Sequence, residues 1–310
     1  KAEMYISLDG LSDQEVVEAA KKYTVFGRVS PEQKLLLVKA LKANGHTVAM
    51  TGDGVNDILA MRESDCSVAI ASGAEAARNV AHLVLLDSNF TSMPDVVREG
   101  RRVVNNIQKS SSLFLMKTFM SILLSIIFLI VPTMKGAIFT RYPFQTNNLL
   151  LLEMCIIGLP SFVLALQKTE SIIKGNFLSN VIGRCVPGGL SLVFATMAVY
   201  YYNTYLIDTS EVVAGTSPLY TTMLVVALTY SGLMMLIKIC EPFDFIRALL
   251  VIAIFALSLA GILVMPETTF GITKGVMKLQ DTLFVITAVL GTYFFASLLM
   301  KILQIMKVLH

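Results

Sequence analysis

Apolar positions along this chain follow one rhythm for the first third and another for the rest. Up to about residue 110, short β-type runs at 5–8, 23–26, 47–50, 67–70 and 83–86 alternate with stretches of helical periodicity. The stretch at 12–21 opens on a Ser/Asp cap. The one at 31–43 has Ser30 as N-cap, Pro31 at the first helical position and Gly45 just past its end, and a further helix starts near Asn56. Such strand–helix alternation predicts a parallel α/β sheet, Rossmann-like, with ligands at the carboxyl ends of its strands. Beyond residue 110 the pattern becomes long and apolar. Six segments, approximately 111–132, 147–166, 185–206, 219–238, 246–265 and 282–301, are long enough to cross a hydrocarbon layer, which takes about 20 helical residues. Loop residues punctuate them at Pro143, 168–180, 209–218, Glu241-Pro242 and 266–278.

Composition agrees with this division into a soluble domain and an all-α polytopic membrane domain of six helices. The 310 residues are 55% hydrophobic and 15% charged, with mean hydropathy +0.69. A soluble chain is about 45–50% apolar and about 25% charged. An even number of spans returns the C-terminus to the side of the soluble domain. Loops on that side hold Lys168, Lys174, Arg184, Lys238 and Arg247, with Lys307 in the tail; the opposite loops hold Lys135, Arg141, Lys274 and Lys278. Arg98, Arg101, Arg102 and Lys109 precede the first span. This bias favours a cytoplasmic soluble domain and C-terminus. A net charge of +3, with no basic arm, argues against nucleic acid as a partner. The cysteines Cys66, Cys155, Cys185 and Cys240 show no metal-ligand spacing and read as small core residues.

Two ionisable residues fall within the predicted spans: Lys117 near the start of the first and Glu153 inside the second. A charge at membrane depth costs at least about 2.5–3.5 kcal/mol, so such groups face a protein interior or a watery path. Lys117 could instead snorkel to the interface. Glu153 lies in an apolar run followed by Gly158-Leu159-Pro160, where the helix should loosen and free carbonyls beside the carboxylate. That arrangement suits a cation, and a capping or interhelical hydrogen-bonding role stays open.

In the soluble third, chemistry gathers where the third predicted strand ends, at Thr51-Gly52-Asp53-Gly54-Val55-Asn56-Asp57. The glycines let backbone approach a phosphate closely. Asp53 and Asp57 repel each other unless a cation lies near, and oxygen-only ligands of this kind suit Mg²⁺. Lys34 stands in the first turn of the helix beginning at Pro31. There it is either a solvated lysine or, near a phosphorylated carboxylate, a counter-charge for a transferred phosphoryl group.

Phe26-Gly27-Arg28-Val29-Ser30-Pro31-Glu32-Gln33-Lys34, followed by Met50 to Asp57, resembles the phosphorylation domain of P-type ATPases, of the haloacid dehalogenase superfamily. The likeness continues through Ala60-Met61-Arg62-Glu63-Ser64-Asp65, Ala69-Ile70-Ala71-Ser72-Gly73 and Val96-Val97-Arg98-Glu99-Gly100-Arg101, and Asn105-Asn106-Ile107 resembles the stalk of the family's fifth helix. The resemblance implies a partial phosphorylation domain over 1–100, a stalk over 101–110 and six membrane helices over 111–310. It implies an ATP-driven pump in which Asp53 coordinates Mg²⁺, Asn56 and Asp57 organise the phosphate site, Thr51 and Gly52 hold the phosphoryl group and Lys34 supports its charge. The nucleophilic aspartate's Asp-Lys-Thr-Gly motif does not occur in these residues. It would be supplied, with the actuator domain, the ATP-binding domain and the first four helices, by an N-terminal part of the same pump, without which this fragment is expected to be inactive.

By the same resemblance Glu153 corresponds to an ion-binding position of the sixth helix, and Thr118 and Ser121 to ion-binding positions of the fifth, beside Lys117. The family's aspartate before Gly-Leu-Pro is Ile157 here. The expected cargo is one cation per cycle, or an unusual substrate, with Lys117 as counter-ion to Glu153, in a multi-pass protein of the plasma membrane. A flippase-like or polyamine-transporting pump, and a non-catalytic membrane-anchored regulatory protein, are the alternatives.

Overall fold

Capping fixes where the first helices begin. In the computed structural model, which describes residues 4–130, 142–168, 171–205 and 217–306, the Ser30 hydroxyl accepts from the Gln33 amide at 3.2 Å while Gln33 Oε1 accepts from the Ser30 amide at 3.0 Å. This reciprocal box starts the helix Pro31–Ala43 (α2) where Pro31 needs no amide partner. Glu15 plays the same part for Asp13–Lys22 (α1), accepting from the Ser12 amide at 2.8 Å. Lys135, Arg141 and Lys307, the end of the first predicted span and most of the loop predicted at 209–218 lie outside the described residues.

The chain divides into two compact units, Lys1–Val97 and Arg98–His310. In the first, strands Tyr5–Ser7 (β1), Val25–Gly27 (β2), Ala49–Gly52 (β3), Cys66–Ile70 (β4) and Leu83–Leu85 (β5) are all parallel to their neighbours. They form two ladders, β1-β2 and β3-β4-β5, where the sequence pattern predicts one sheet. Periodicity marks which residues are extended but not which extended segments exchange hydrogen bonds, and β1 and β3 are not neighbours in either ladder. Each ladder has its own small core. Leu8, Val16 and Ala19 pack with Ile6, Phe26 and Leu36 on one side; Met61, Ala69 and Ala77 pack with Met50 and Val84 on the other. Helices Ile58–Glu63 (α3) and Glu75–Val80 (α4) flank the second ladder. The pattern of apolar residues does not announce α4, which is only six residues long.

Among the described residues, six helices are long and apolar enough to span a membrane, five of them wholly in the second unit and the first beginning just before it. The first, Met93–Ile130 (α5), is unbroken over 38 residues, about 57 Å at the α-helical rise. Next comes a π-helical segment, Leu152–Gly158, running into Leu159–Leu166 (α6), then Phe177–Tyr205 (α7), Pro218–Cys240 (α8) and Phe245–Val264 (α9). A single turn, Glu267–Phe270 (α10), precedes Leu279–Ile305 (α11). α8 lies at the centre: Tyr220, Met223, Leu224, Val225, Leu228 and Leu236 are fully enclosed. In an apolar medium such side chains contribute through close packing with their neighbours, not through release from water. α5 and α7 approach closely because Gly188 and Gly189 have no side chain. A Cβ at Gly188 would lie 2.6 Å from Met116 Sδ, and one at Gly189 would lie 3.0 Å from the Met116 carbonyl oxygen. Small residues at such crossings let backbones meet in an apolar medium.

Two groups of charges sit differently from their sequence reading. Lys109 and Arg247, expected among water-facing residues flanking the spans, are 7% and 5% exposed. Asp281, which the sequence reading passes over, is 1% exposed, with Tyr202 donating to it at 2.8 Å and the Lys278 amide donating at 2.8 Å. Of the cysteines, Cys155, Cys185 and Cys240 are buried as expected, whereas Cys66, the first residue of β4, is exposed.

Candidate functional site

β3 delivers the first site. Its last residues pair Thr51 with Val68 and Gly52 with Ala69, so the chain leaves the ladder at Asp53, at the carboxyl edge. Gly54 and the short 3-10 turn Val55–Asp57 then lead into α3. This turn folds Asp57 back against the end of β3. A Cβ on Gly52 would lie 2.5 Å from the Asp57 Cβ, so only glycine permits the contact. Asp57 is 7% exposed, and its Oδ1 accepts from Lys34 Nζ at 2.6 Å. The two residues are far apart in sequence, and α2 and the 3-10 turn bring them together. Charge-assisted hydrogen bonds contribute about 1.5–3 kcal/mol, and with a third of the Lys34 side chain open to solvent this one belongs at or below the lower end.

Asp53 and Asp57 therefore differ in their surroundings. Asp57 is held by an ammonium, whereas the Asp53 side chain is exposed and its backbone is clamped. The Ala74 amide donates to the Asp53 carbonyl at 2.7 Å, and a Cβ on Gly73 would lie 2.6 Å from that same oxygen. Arg78 fixes the clamp by donating to the carbonyls of Ala71 and Gly73 at 2.6 and 2.7 Å. The sequence reading includes Gly73 in a resemblance but assigns Arg78 no part. A lone arginine on a six-residue helix carries no periodic signal.

Below the site, the Val48 amide donates to Asp65 Oδ2 at 2.9 Å, and Lys42 stands 3.4 Å from the same carboxylate. The Val48 bond, then Lys42, hold the Asp65 carboxyl below its usual range.

Thr51 and Asn56 lie beside Asp53, Thr51 half-buried and Asn56 exposed. An exposed carboxylate next to glycine backbone at a strand end fits Mg²⁺, which takes one or two carboxylates and keeps other positions for phosphate and water. Among the described residues no group of three His, Cys, Asp or Glu side chains forms a ready-made cage.

The second site lies in the helical unit. Lys117 on α5 donates to Glu153 on the π-helical segment. The segment is wound with i→i+5 bonds over Leu152–Gly158 and ends two residues before Pro160, which has no amide to donate. The loosening predicted at Gly158 and Pro160 thus takes the form of a π segment with Glu153 in its first turn. The pair is partly open, with the Lys117 side chain 31% and the Glu153 side chain 40% exposed. Thr118 turns to its own helix, donating to the Phe114 carbonyl at 3.3 Å, and Ser121 sits one turn beyond Lys117. The geometry brings Lys117 and Glu153 together and leaves Thr118 aside.

Residues 5–65 match a family described as haloacid dehalogenase-like hydrolase. The chain is 37% identical over 250 residues to the probable cation-transporting ATPase exp7 of Streptococcus pneumoniae, covering 80% of this chain and 31% of that protein. It is 38% identical over 270 residues to the calcium-transporting ATPase CtpE of Mycolicibacterium smegmatis, covering 83% and 33%. With the calcium-transporting ATPase lmo0841 of Listeria monocytogenes it shares 32% identity over 201 residues, covering 61% and 22%. The chain thus spans at most about a third of the length of these relatives.

Proposed function

We propose that this chain, a multi-pass membrane protein with a haloacid dehalogenase-like region and homology over most of its length to cation- and calcium-transporting P-type ATPases, is the C-terminal part of an ATP-driven pump. In this reading the pump moves a cation through a phosphoaspartate intermediate. The phosphorylated aspartate, the ATP-binding and actuator domains and four further helices belong to an N-terminal part of the same protein. The soluble unit and the C-terminus face the cytoplasm, and the membrane is the plasma membrane.

Within this reading Asp53 presents its open carboxylate to Mg²⁺, while the Gly73 and Ala74 backbone holds its main chain still. Bound Mg²⁺ supplies positive charge to the phosphoryl group as it transfers. Lys34 holds Asp57 in place at the end of β3, close to where that charge develops. Thr51, Gly52 and Asn56 line the same edge and contact the phosphoryl oxygens.

The observation that carries the transport half is the Lys117–Glu153 pair on a π-helical segment. A carboxylate with its own ammonium partner needs no second metal ion to balance it. This supports one cation per cycle rather than two, with Lys117 neutralising Glu153 once the cation has left. The test is Glu153→Gln in the full-length protein, with ATPase activity screened against calcium, other cations, polyamines and lipids. Loss of cation stimulation with basal phosphorylation kept is expected. Unchanged stimulation would remove Glu153 from the site, and stimulation by a lipid or polyamine alone would replace the cargo.

A further inference from the structure

At the end of the helical unit where α7 begins and α8 ends, three cationic side chains collect around the single carboxylate of Asp244. Lys109 of α5 is 7% exposed, Arg247 of α9 is 5% exposed, and Arg184 of α7 is half-buried. Arg247 and Arg184 both bear on the Lys109 ammonium with like charge. The packing explains why they meet. α5 and α7 cross at Met116 and Gly188–Gly189, and Lys109 and Arg184 each lie one to two turns before that crossing. Asn106, one turn from Lys109, donates to the Gln167 carbonyl at 2.7 Å, and Arg247 Nε donates to Gln167 Oε1 at 2.7 Å.

The acceptors nearby are few. Arg247 also donates to the Pro242 carbonyl at 2.6 Å and stands 3.5 Å from Asp244, whose side chain is half exposed. Among the described residues no carboxylate lies at ion-pair distance from Lys109 or Arg184. Gln167 is 5% exposed, and its Nε2 is a buried donor with no acceptor. Buried charges are otherwise paired, and a buried amide donor left without an acceptor costs about 1–3 kcal/mol. Gln167 also lines a cavity of about 370 Å³, together with Val163, Leu166, Lys168, Asp244 and Ile246.

We propose that Gln167 and Lys168, backed by the buried charges of Lys109 and Arg247 and by Arg184, bind the phosphate of an anionic phospholipid headgroup. Depth favours lipid as the source. The polar run through Lys109 and the serines at 110–112 gives way at Leu113 to the apolar part of α5, and Asp244 caps the first turn of α9, so the cluster sits where helices pass from water to hydrocarbon. The apolar Val163, Leu166 and Ile246 continue the cavity wall for the start of an acyl chain.

The test uses the full-length protein in detergent, stripped of lipid, then supplied with phosphatidylglycerol, phosphatidylcholine or inorganic phosphate. Thermal unfolding and lipid retained in native mass spectra are read, neither of which needs pump activity. Phosphatidylglycerol should raise the unfolding midpoint and remain bound, and Lys109→Gln, which removes one of the positive charges behind the site, should reduce that retention about tenfold. Gln167→Glu supplies the missing anion internally; it should raise the lipid-free midpoint and abolish the lipid increment. If Lys109→Gln fails to fold, Gln167→Glu decides alone. A rise with inorganic phosphate alone supports the site and assigns it to a soluble phosphate. Equal effects of phosphatidylcholine and phosphatidylglycerol, or an undiminished increment in Gln167→Glu, overturn the proposal.

Discussion

Gly73 lies so close to Asp53 that a methyl group on it would come within 2.6 Å of the Asp53 carbonyl oxygen and 2.9 Å of its Cα. Both obstacles are backbone, so they cannot swing away as a side chain would. Gly73→Ala should push the Asp53 loop out of place and stretch the 2.7 Å bond from the Ala74 amide. Overpacking of this kind costs about 1–3 kcal/mol. The expected result in the full-length protein is a small fall in unfolding temperature with a much larger rise in the Mg²⁺ concentration needed for phosphoenzyme formation. A variant with ordinary Mg²⁺ dependence would show that the clamp does not position Asp53.

Lys34 and Asp57 should behave as a unit. Lys34→Met leaves a carboxylate that is 7% exposed without its ammonium. Asp57→Asn leaves a neutral amide in the same place. The single changes are expected to cost on the order of 1–2 kcal/mol each, and the double change less than their sum, because the second removes what the first left unpaired. A double-mutant cycle by chemical denaturation measures this. Strict additivity would mean that the 2.6 Å contact contributes nothing.

Acid sensitivity should trace in part to Asp65. Hydrogen bonding from the Val48 amide, then Lys42, lowers its folded pKa, whereas an unfolded aspartate titrates near about 3.9. Its contribution is therefore present above that value and is lost as pH falls through the lowered folded value. Asp65→Asn should lower stability at neutral pH and make it less dependent on pH below about 4. Unfolding midpoints of the two proteins between neutral and acid pH should converge; parallel curves would exclude Asp65.

The crossing of α5 and α7 should tolerate no added side chain. Gly189→Leu must displace the Met116 backbone, 3.0 Å from the first added atom, as well as Phe119. The helices would separate at a point between Lys109 and Lys117. Reduced thermal stability with loss of cation stimulation is expected. Stability equal to that of the parent would mean the close approach is not needed.

The six spans, the five strands and the Asp53 loop were all readable in the sequence because each is written in local periodicity or in a contiguous motif. Pairing between elements is not written there. Nothing near Lys34 says that its ammonium reaches Asp57, nor does Gly73 announce that it abuts Asp53. The split into β1-β2 and β3-β4-β5 depends on which strand edges meet. Lys109 and Arg247 look like ordinary flanking charges until Asn106 and Gln167 draw α5, α6 and α9 together around them. Glu153 stood out because a charge in an apolar run is rare, but the π winding around it depends on bonding that Gly158 and Pro160 only hint at.

That winding has a mechanical meaning. A π segment is a dislocation in a helical lattice, one extra residue accommodated within a few turns. Like a dislocation in a crystal, it can travel by exchanging one hydrogen bond at a time, never breaking all of them together. Moved one register along Leu152–Gly158, it would turn Glu153 by roughly one residue's rotation, about 100°. A rotation of that size would take the Glu153 carboxylate off Lys117.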